Sequence, residues 1–192
     1  YTFTKEGLQP RPYFPARLPY LYVGDRLLSV QAAEIVDGRQ KVSVTLDDAQ
    51  AFEADILPAT APFGPTDGPW SWDGHWALAL LDGKQDPRSG QGGIEPLNRI
   101  IVDGDDLNTL KGYEQSYGFA VLDGRPFYFY QREGKIGISF DGHEFAQNYE
   151  EIPHYECCSG SLENPGFSMN AVWFFARRAG DWYYVEAYVP EN

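Results

Sequence analysis

A short pattern that occurs three times constrains the fold of this chain more than any other feature. An apolar segment runs directly into an acidic turn in KVSVTLDDAQ from Lys41, in RIIVDGDDLN from Arg99 and in KIGISFDGHE from Lys135. Alternating apolar residues are typical of half-buried β-strands, and Asp-Gly pairs favour the positive φ of tight hairpins. The pattern therefore predicts a chain made of short strands joined by hairpin turns.

The order of these segments is clearest between Tyr117 and Gly142. YGFAVLDG, RPFYFYQREG and KIGISFDG are three apolar segments separated by Asp-Gly and Glu-Gly pairs, which predicts an antiparallel β-meander. The next segment, HEFAQNYEEI, supplies an outer strand or a connecting loop. We therefore interpret KIGISFDGHE as the third strand and exit turn of one antiparallel unit.

The spacing of the Asp-Gly pairs predicts that such units repeat. Gly38, Gly83 and Gly124 close IVDG, LLDG and VLDG and lie 45 and 41 residues apart, and Gly180 follows 56 residues later. Steps of this size are typical of propeller blades and related arrays. We predict a single domain of about three and a half to four β-units. They cover residues 27–66, 67–115, 116–156 and 171–189.

The two ends of this array would leave unpaired strand edges, which folded proteins usually cover. We expect PYLYVGDRLLSV, from Pro19 to Val30, to pair with DWYYVEAYV, from Asp181 to Val189. The N-terminal strands would then complete the last unit.

Composition favours an all-β chain. The 192 residues include 20 Gly and 14 Pro, and 16% of them are aromatic, which favours short strands and many turns over long helices. Only DDAQAFEADIL, from Asp47 to Leu57, is expected to be briefly helical. There an Asp can cap the N-terminus, and Phe52 and Ile56 lie four residues apart.

The turn motifs resemble those of β-propeller repeat proteins of the TolB-like and WD40-like families. In those families a blade reads as a strand ending in Asp-Gly, an aromatic strand, and a third strand ending again in Asp-Gly. The resemblance covers residues 27–189 and implies a small, propeller-like arrangement. A twisted open sheet or a two-sheet sandwich made of the same hairpins is the alternative. In SWDGHW, from Ser71 to Trp76, the Gly-His and Trp-Asp pairs of WD40 blades stand in reversed order.

Charge excludes some classes of partner. The formal net charge is −13, with 15 Lys and Arg against 28 Asp and Glu, so the protein would repel nucleic acid and anionic membrane surfaces. No apolar run approaches 18 residues, so we expect no membrane span. The chain starts at Tyr1, which leaves room for a targeting or anchoring segment ahead of it and leaves its compartment open.

Three of the five tryptophans lie in GPWSWDGHWALAL, from Gly68 to Leu80. Alternate spacing places Trp70, Trp72 and, past the turn, Trp76 on one face, and aromatic faces beside carboxylates suit sugar rings or cations. In the alternative interpretation, the tryptophans fill the gap between neighbouring sheets. The candidate ligand-binding residues are Trp70, Trp72, Asp73, His75 and Trp76.

The segment IPHYECCSGS holds weak candidates for metal or redox chemistry. His154, Cys157 and Cys158 offer soft ligands, but adjacent cysteines bind one zinc ion poorly and no second pair stands at ligand spacing. A strained disulfide between the two cysteines could switch the loop that follows them. In the alternative interpretation, they are two small thiols beside a structural His154.

Several acidic turns are candidates for calcium binding. They comprise Asp47 and Asp48, then Asp103, Asp105 and Asp106 with Asn108, then Asp141 and Glu144. The calcium-loop motif requires Gly at its sixth position and a distal Glu, and here Asn108 stands in the Gly position. Asp also stabilises turns through its own side chain. We therefore expect no metal and no cofactor.

No motif for nucleophilic catalysis or phosphate binding occurs in the chain. We therefore expect a non-catalytic binding or interaction module that presents loops to a protein or glycan partner. The alternative is a carbohydrate-active hydrolase or a glycan-binding protein that uses the segment from Trp70 to Trp76. Hydrolysis would need a second carboxylate at a separation that the sequence cannot give.

Overall fold

The structure is a computed structural model that describes residues 2–4, 7–9, 20–58, 64–85, 94–154 and 164–190. Within these residues strands dominate, and the one helix has five residues, so the all-β prediction is confirmed. All strand pairings are antiparallel, and each sheet follows chain order without a crossover. No sheet closes on itself within this part of the chain. The propeller-like arrangement stays a prediction.

The strands form a two-stranded hairpin and four larger sheets. The hairpin consists of β1 (Thr2–Thr4) and β2 (Gly7–Gln9). The first sheet consists of β3 (Tyr20–Val23), β4 (Arg26–Ala32), β5 (Gln40–Leu46) and β6 (Ala49–Ile56). The second consists of β7 (Thr66–Trp72), β8 (His75–Gln85), β9 (Ile94–Val102) and β10 (Asp105–Asp106), followed by helix α1 (Leu107–Lys111).

The third and fourth sheets complete the described chain. The third consists of β11 (Gln115–Leu122), β12 (Arg125–Arg132), β13 (Lys135–Phe140) and β14 (His143–Tyr149). The fourth consists of β15 (Gly166–Phe167), β16 (Ala171–Arg178) and β17 (Asp181–Tyr188). Three sheets thus have four strands, whereas the fourth has three among the described residues.

The pattern that occurs three times in the sequence has the same place in three sheets. KVSVTLDDAQ, RIIVDGDDLN and KIGISFDGHE each contain all or the end of a third strand, namely β5, β9 and β13, and the turn into the fourth. The first turn residue has positive φ each time, at 50° for Asp47 and 51° for both Asp103 and Asp141. Asp tolerates this conformation better than most residues, so turn geometry explains these acidic residues.

The glycine spacing that predicted the unit length does not mark equivalent positions. Gly38 lies in the connection between β4 and β5, Gly83 lies inside β8, and Gly124 lies in the turn between β11 and β12. The preceding Asp82 is buried in the strand, where its carboxylate accepts hydrogen bonds from two backbone N–H groups and from Arg99. The bounds of the units stay a prediction.

Two further expectations differ from the structure. β3 pairs with β4, and β4 pairs with β5, in the first sheet. β17 pairs only with β16 among the described strands, so the described N-terminal strands do not complete the last sheet. The helix expected from Asp47 to Leu57 is strand β6, whose Phe52, Ala54 and Ile56 alternate toward the core.

The helix that does form is α1. Asp106 caps its N-terminus by accepting hydrogen bonds from the backbone N–H groups of Asn108 and Thr109, and Gly112 ends it in the left-handed conformation. No helix in the described ranges is both long enough and apolar enough to cross a membrane.

Three core clusters lie between consecutive sheets, so the four sheets stack face to face. One cluster joins the first sheet to Leu78 and Leu80 of β8. The next joins Ala77 and Ala79 of the same strand to the third sheet, and the last joins the third sheet to β16. Because successive strand residues point to opposite faces, β8 is apolar at every position from Trp76 to Leu81. The two inner sheets are thus buried on both faces.

Because only one face of β16 is buried in the core, substitutions at neighbouring residues of this strand should differ strongly in their effect on stability. Phe174 is fully buried in the core, whereas Phe175 is 54% exposed on the opposite face. We expect Phe174→Ala to lower the free energy of unfolding by about 3–5 kcal/mol, because it removes a buried ring and leaves a cavity. The matched change Phe175→Ala should cost less than about 1 kcal/mol. Urea denaturation checks both values, and equal losses would contradict the packing described.

Candidate binding site

The tryptophan cluster is divided between two cores. Trp70 and Trp72 point toward the third sheet, where their ring centroids lie 5.0 and 5.4 Å from that of Phe119. Trp76 lies opposite Ser71 and points to the other side of the sheet, into the core with the first sheet. The expectation that the three rings share one face is wrong. The turn between β7 and β8 places Trp76 opposite a residue that faces away from the other two.

Asp73 and His75 lie at the exposed end of this hairpin. Asp73 occupies the turn with φ of 42°, and the Nδ1 atom of His75 lies 2.6 Å from the carboxylate of Asp103. The other oxygen of that carboxylate accepts a 3.0 Å hydrogen bond from the backbone N–H of Trp76. The structure therefore gathers Trp70, Trp72 and His75 on one side and leaves Trp76 out. Ligand binding in this region stays a prediction.

His154 is held in a structural environment. Its ring stacks on Tyr117 with centroids 3.6 Å apart, its Nδ1 lies 2.7 Å from the carbonyl oxygen of Ile152, and its Nε2 lies 3.4 Å from the side-chain nitrogen of Asn98. Burial lowers the pKa of His154 to about 4, and the hydrogen bond to Ile152 only partly opposes this. The imidazole is therefore neutral at pH 7.

Cys157 and Cys158 lie outside the described residues, so their role in metal or redox chemistry stays a prediction. Within the described ranges, no three His, Cys, Asp or Glu side chains come together in a way that could hold a metal ion.

The carboxylates expected near a calcium loop are used by the protein itself. Asp106 caps α1, and its carboxylate also forms an ion pair with the guanidinium of Arg99 at 3.1 Å. The same guanidinium lies 2.6 Å from the carboxylate of Asp82. Arg99 thus joins the helix to the middle of β8, and Asn108 donates a hydrogen bond to the backbone of Asn98. These contacts give the acidic segment a structural role.

Glu144 has a similar role in the third sheet. Its carboxylate accepts a 2.7 Å hydrogen bond from the Tyr113 hydroxyl and a 2.8 Å bond from Arg132. The hydrogen bond from Arg132 lowers the pKa of Glu144 below its usual range, and the bond from Tyr113 adds to this effect. In the first sheet, the carboxylate of Asp47 likewise accepts the backbone N–H of Leu27 and pairs with Arg26.

Among the described residues, the largest exposed group of aromatic side chains lies on the fourth sheet, away from all these candidates. Alternate residues of β16 pack inward against the third sheet, and those between them face outward. We call the outward group the outer aromatic face. Its members are 37% to 65% exposed: Trp173, Phe175, Trp182, Tyr184 and Tyr188.

Strand register explains how these rings form one surface. Phe175 lies opposite Tyr184, and their ring centroids are 5.1 Å apart. Trp173 lies opposite Gly166 of β15, and a Cβ atom at that glycine would overlap the indole. The indole therefore lies over the glycine backbone. A glycine on an edge strand is often covered by an aromatic ring in this way.

A buried asparagine fixes the backbone beneath this surface. The side chain of Asn164 lies beside β16, between β15 and residue 151, and bonds β16 as a neighbouring strand would. Its amide oxygen accepts a hydrogen bond from the backbone N–H of Phe175, and its amide nitrogen donates one to the carbonyl oxygen of Phe175. The amide nitrogen also donates a 2.6 Å bond to the carbonyl oxygen of Pro153. The backbone groups of Phe175 are therefore hydrogen-bonded, which holds the outward residues of β16 in place.

Polar groups border the rings. Glu186 lies between Tyr184 and Tyr188 on β17 and accepts a 2.7 Å hydrogen bond from the Tyr188 hydroxyl. This bond raises the pKa of Tyr188 above its usual range, because it stabilises the neutral phenol. Arg177 lies opposite Trp182 and forms an ion pair with Glu151. The surface thus combines flat apolar rings with charged hydrogen-bonding groups at its margin.

An apolar groove lies on the other side of the same strands. It has a volume of about 290 Å³ and opens between the third and fourth sheets. Among the residues that line it are Phe140, Phe145, Val172, Val185 and Ala187.

Sequence reasoning missed the outer aromatic face, although a signal was present. WFF in β16 and WYYV in β17 are continuous apolar runs, and such runs are typical of strands buried on both faces. β8 has the same pattern and is buried on both faces. β16 and β17 lie at the end of the stack, so no sheet formed by the described residues covers one face of each. Comparison with protein-family models, curated proteins and solved structures finds no match to this chain.

The buried, neutral His154 predicts a loss of stability in acid. Its folded-state pKa of about 4 lies below the ordinary value of 6.5, so the unfolded chain takes up a proton first as the pH falls. Stability from this group is complete above about pH 6.5 and is lost toward pH 4, by about 3 kcal/mol in total. Urea denaturation across this range should show the loss.

In the variant His154→Gln, the free energy of unfolding should change less between pH 6.5 and pH 4 than it does in the wild type. The exposed His143→Gln is the matched control and should keep the wild-type loss. If His154→Gln loses as much stability on acidification as the wild type does, His154 is not the titrating group.

Proposed function

We propose that this chain is a non-catalytic binding module that holds a neutral glycan on its outer aromatic face. The main support for this proposal is the concentration of exposed aromatic rings on one sheet face at the end of the stack. The opposite end of the stack has fewer exposed rings among the described residues, namely Tyr20 and Tyr22 of β3, and the outer side of β5 and β6 carries polar residues such as Lys41 and Glu53. An exposed apolar patch of this kind is a typical sign of a binding surface.

The side chains match the chemistry of sugars. Flat rings such as those of Trp173 and Trp182 can stack on the C–H faces of a sugar ring and remove apolar surface from water. Glu186 and Arg177, at the margin, supply an acceptor and a donor for hydroxyl groups. Because Trp and Tyr have few rotatable bonds, ordering them on binding costs little entropy.

Charge favours a neutral glycan over an acidic one. The chain carries a net charge of −13, which repels polyanions over distances of about a Debye length. Uronic acids and sulfate groups would also approach Glu186, which has the same sign of charge. Neutral polysaccharides avoid both costs.

Binding without hydrolysis fits the acids that are present. Most glycosidases need two carboxyl groups on either side of the scissile bond. Among the described residues of β16 and β17, Glu186 is the one carboxylate on the outward side, since Asp181 belongs to the inward row. The neighbouring Glu151 is engaged in its ion pair with Arg177. The hydrogen bond from Tyr188 further commits Glu186 to a fixed acceptor role.

Affinity electrophoresis in native gels that contain soluble polysaccharides tests this proposal. The acidic protein migrates readily, and retardation by a neutral β-glucan, xylan, mannan or starch reports binding. The double variant Trp182→Ser/Tyr184→Ser should weaken binding at least about tenfold, because each ring contributes on the order of 1–3 kcal/mol when buried by a ligand.

The matched control is Tyr20→Ser/Tyr22→Ser, which removes two rings that are also exposed but lie on the first sheet. It should bind as the wild type does. Absence of retardation by all four neutral polysaccharides would contradict the proposal, and so would equal loss of binding in both double variants.

A further inference from the structure

The free edge of β17 is the second unusual feature of the fourth sheet. From it we propose that two copies of this chain pair through β17, antiparallel and centred on Val185, to form one continuous sheet. β17 has eight residues, and among the described strands its one partner is β16. A long, apolar, unpaired edge strand readily accepts another strand.

Hydrogen bonding shows which backbone groups face the free edge. The N–H of Val189 donates to the carbonyl of Asn170, just beyond the end of β16, so the odd-numbered residues of β17 bond toward β16. On the far side of β16, Phe175 bonds Asn164 and Arg177 bonds residue 151, as this alternation requires. The backbone groups of Trp182, Tyr184, Glu186 and Tyr188 therefore point to the free edge.

Among the symmetric pairings that these groups allow, charge disfavours one register and aromatic pairing favours another. Centring on Glu186 would place two carboxylates directly opposite each other, which destabilises a strand pair. Centring on Val185 places Glu186 opposite the Tyr184 of the second copy. It also places Trp182 opposite Tyr188, a favourable aromatic pair. This register pairs residues 182–188 of the two copies and opposes no like charges.

The inward side of the strand adds a reason for a second copy. Tyr183, Val185 and Ala187 alternate on the face that borders the apolar groove, and the last two line it. In the proposed register a second Tyr183 lies beside Ala187, so its ring can extend over the open side of the groove. The second β17 thereby takes the place of the fourth strand that the other three sheets possess.

The pairing goes beyond glycan binding and does not depend on it. The joined sheet would carry two outer aromatic faces side by side on the same surface. Each chain contributes a net charge of −13, so long-range repulsion opposes association and added salt should tighten the dimer.

Cysteine cross-linking tests the register directly, with Cys157 and Cys158 replaced by serine. In the proposed pair the two Val185 residues are opposite each other at a position without hydrogen bonds, where Cα atoms lie about 4.5 Å apart. Disulfides form at Cα separations of about 4.4–6.8 Å, so Val185→Cys should give a covalent dimer under mild oxidation. Ala187→Cys is the matched control. Its two copies would lie four residues out of register, about 13 Å apart, and should not cross-link.

A second variant tests the edge without new cysteines. Glu186→Pro removes an N–H that points to the free edge and leaves the bonds to β16 intact, and proline is tolerated at such positions. Light scattering after size-exclusion chromatography should show a wild-type dimer at about 100 μM that Glu186→Pro converts to a monomer, with at least a tenfold weaker association.

Three results would overturn the proposal. They are a monomeric wild type at that concentration in 0.5 M salt, a dimer that survives Glu186→Pro, and cross-linking at residue 187 as efficient as at residue 185. If Glu186→Pro does not fold, the comparison of the two cysteine variants decides alone.

Discussion

The contact between the third and fourth sheets determines which side chains of the fourth sheet face solvent. Phe129 and Phe174 are both fully buried and meet edge to face with ring centroids 5.0 Å apart. Because a strand alternates its side chains, fixing Phe174 inward fixes Trp173 and Phe175 outward. Aromatic pairs of this geometry add to the free energy gained by burial, and a register shift of one residue would expose the core. The outer aromatic face is thus a direct consequence of how the core is packed.

Much of the fold follows from local rules that a sequence displays. Strand alternation and Asp-Gly turns predict the all-β class and place KIGISFDGHE as a third strand with its exit turn, as the structure has it. The same motif misleads at Asp82, because an Asp-Gly pair is also acceptable inside a strand once Arg99 and backbone N–H groups satisfy the carboxylate. The position of α1 depends on Asp106 acting as a cap, which competes with the turn and calcium-loop interpretations of the same letters.

The candidate site was harder to predict, because a side chain's face depends on the register across a turn. Trp76 follows Trp72 by four residues, yet it lies opposite Ser71 and therefore points into another core. For β16 and β17 the reverse holds. Their continuous apolar runs predict burial on both faces, whereas the described sheets cover one face of each. Sequence pattern shows how much of a strand is apolar, and only the arrangement of sheets shows which part of it meets solvent.

We propose that the fourth sheet, and not the segment from Trp70 to Trp76, binds a neutral glycan. The most direct measurement is a ¹H–¹⁵N NMR titration of the indole N–H signals, because the chain has five tryptophans and each gives one resonance. We predict that a neutral oligosaccharide shifts the signals of Trp173 and Trp182 in a saturable way and leaves that of Trp76 unchanged. Shifts confined to Trp70 and Trp72, or no shift at any indole, would contradict the account.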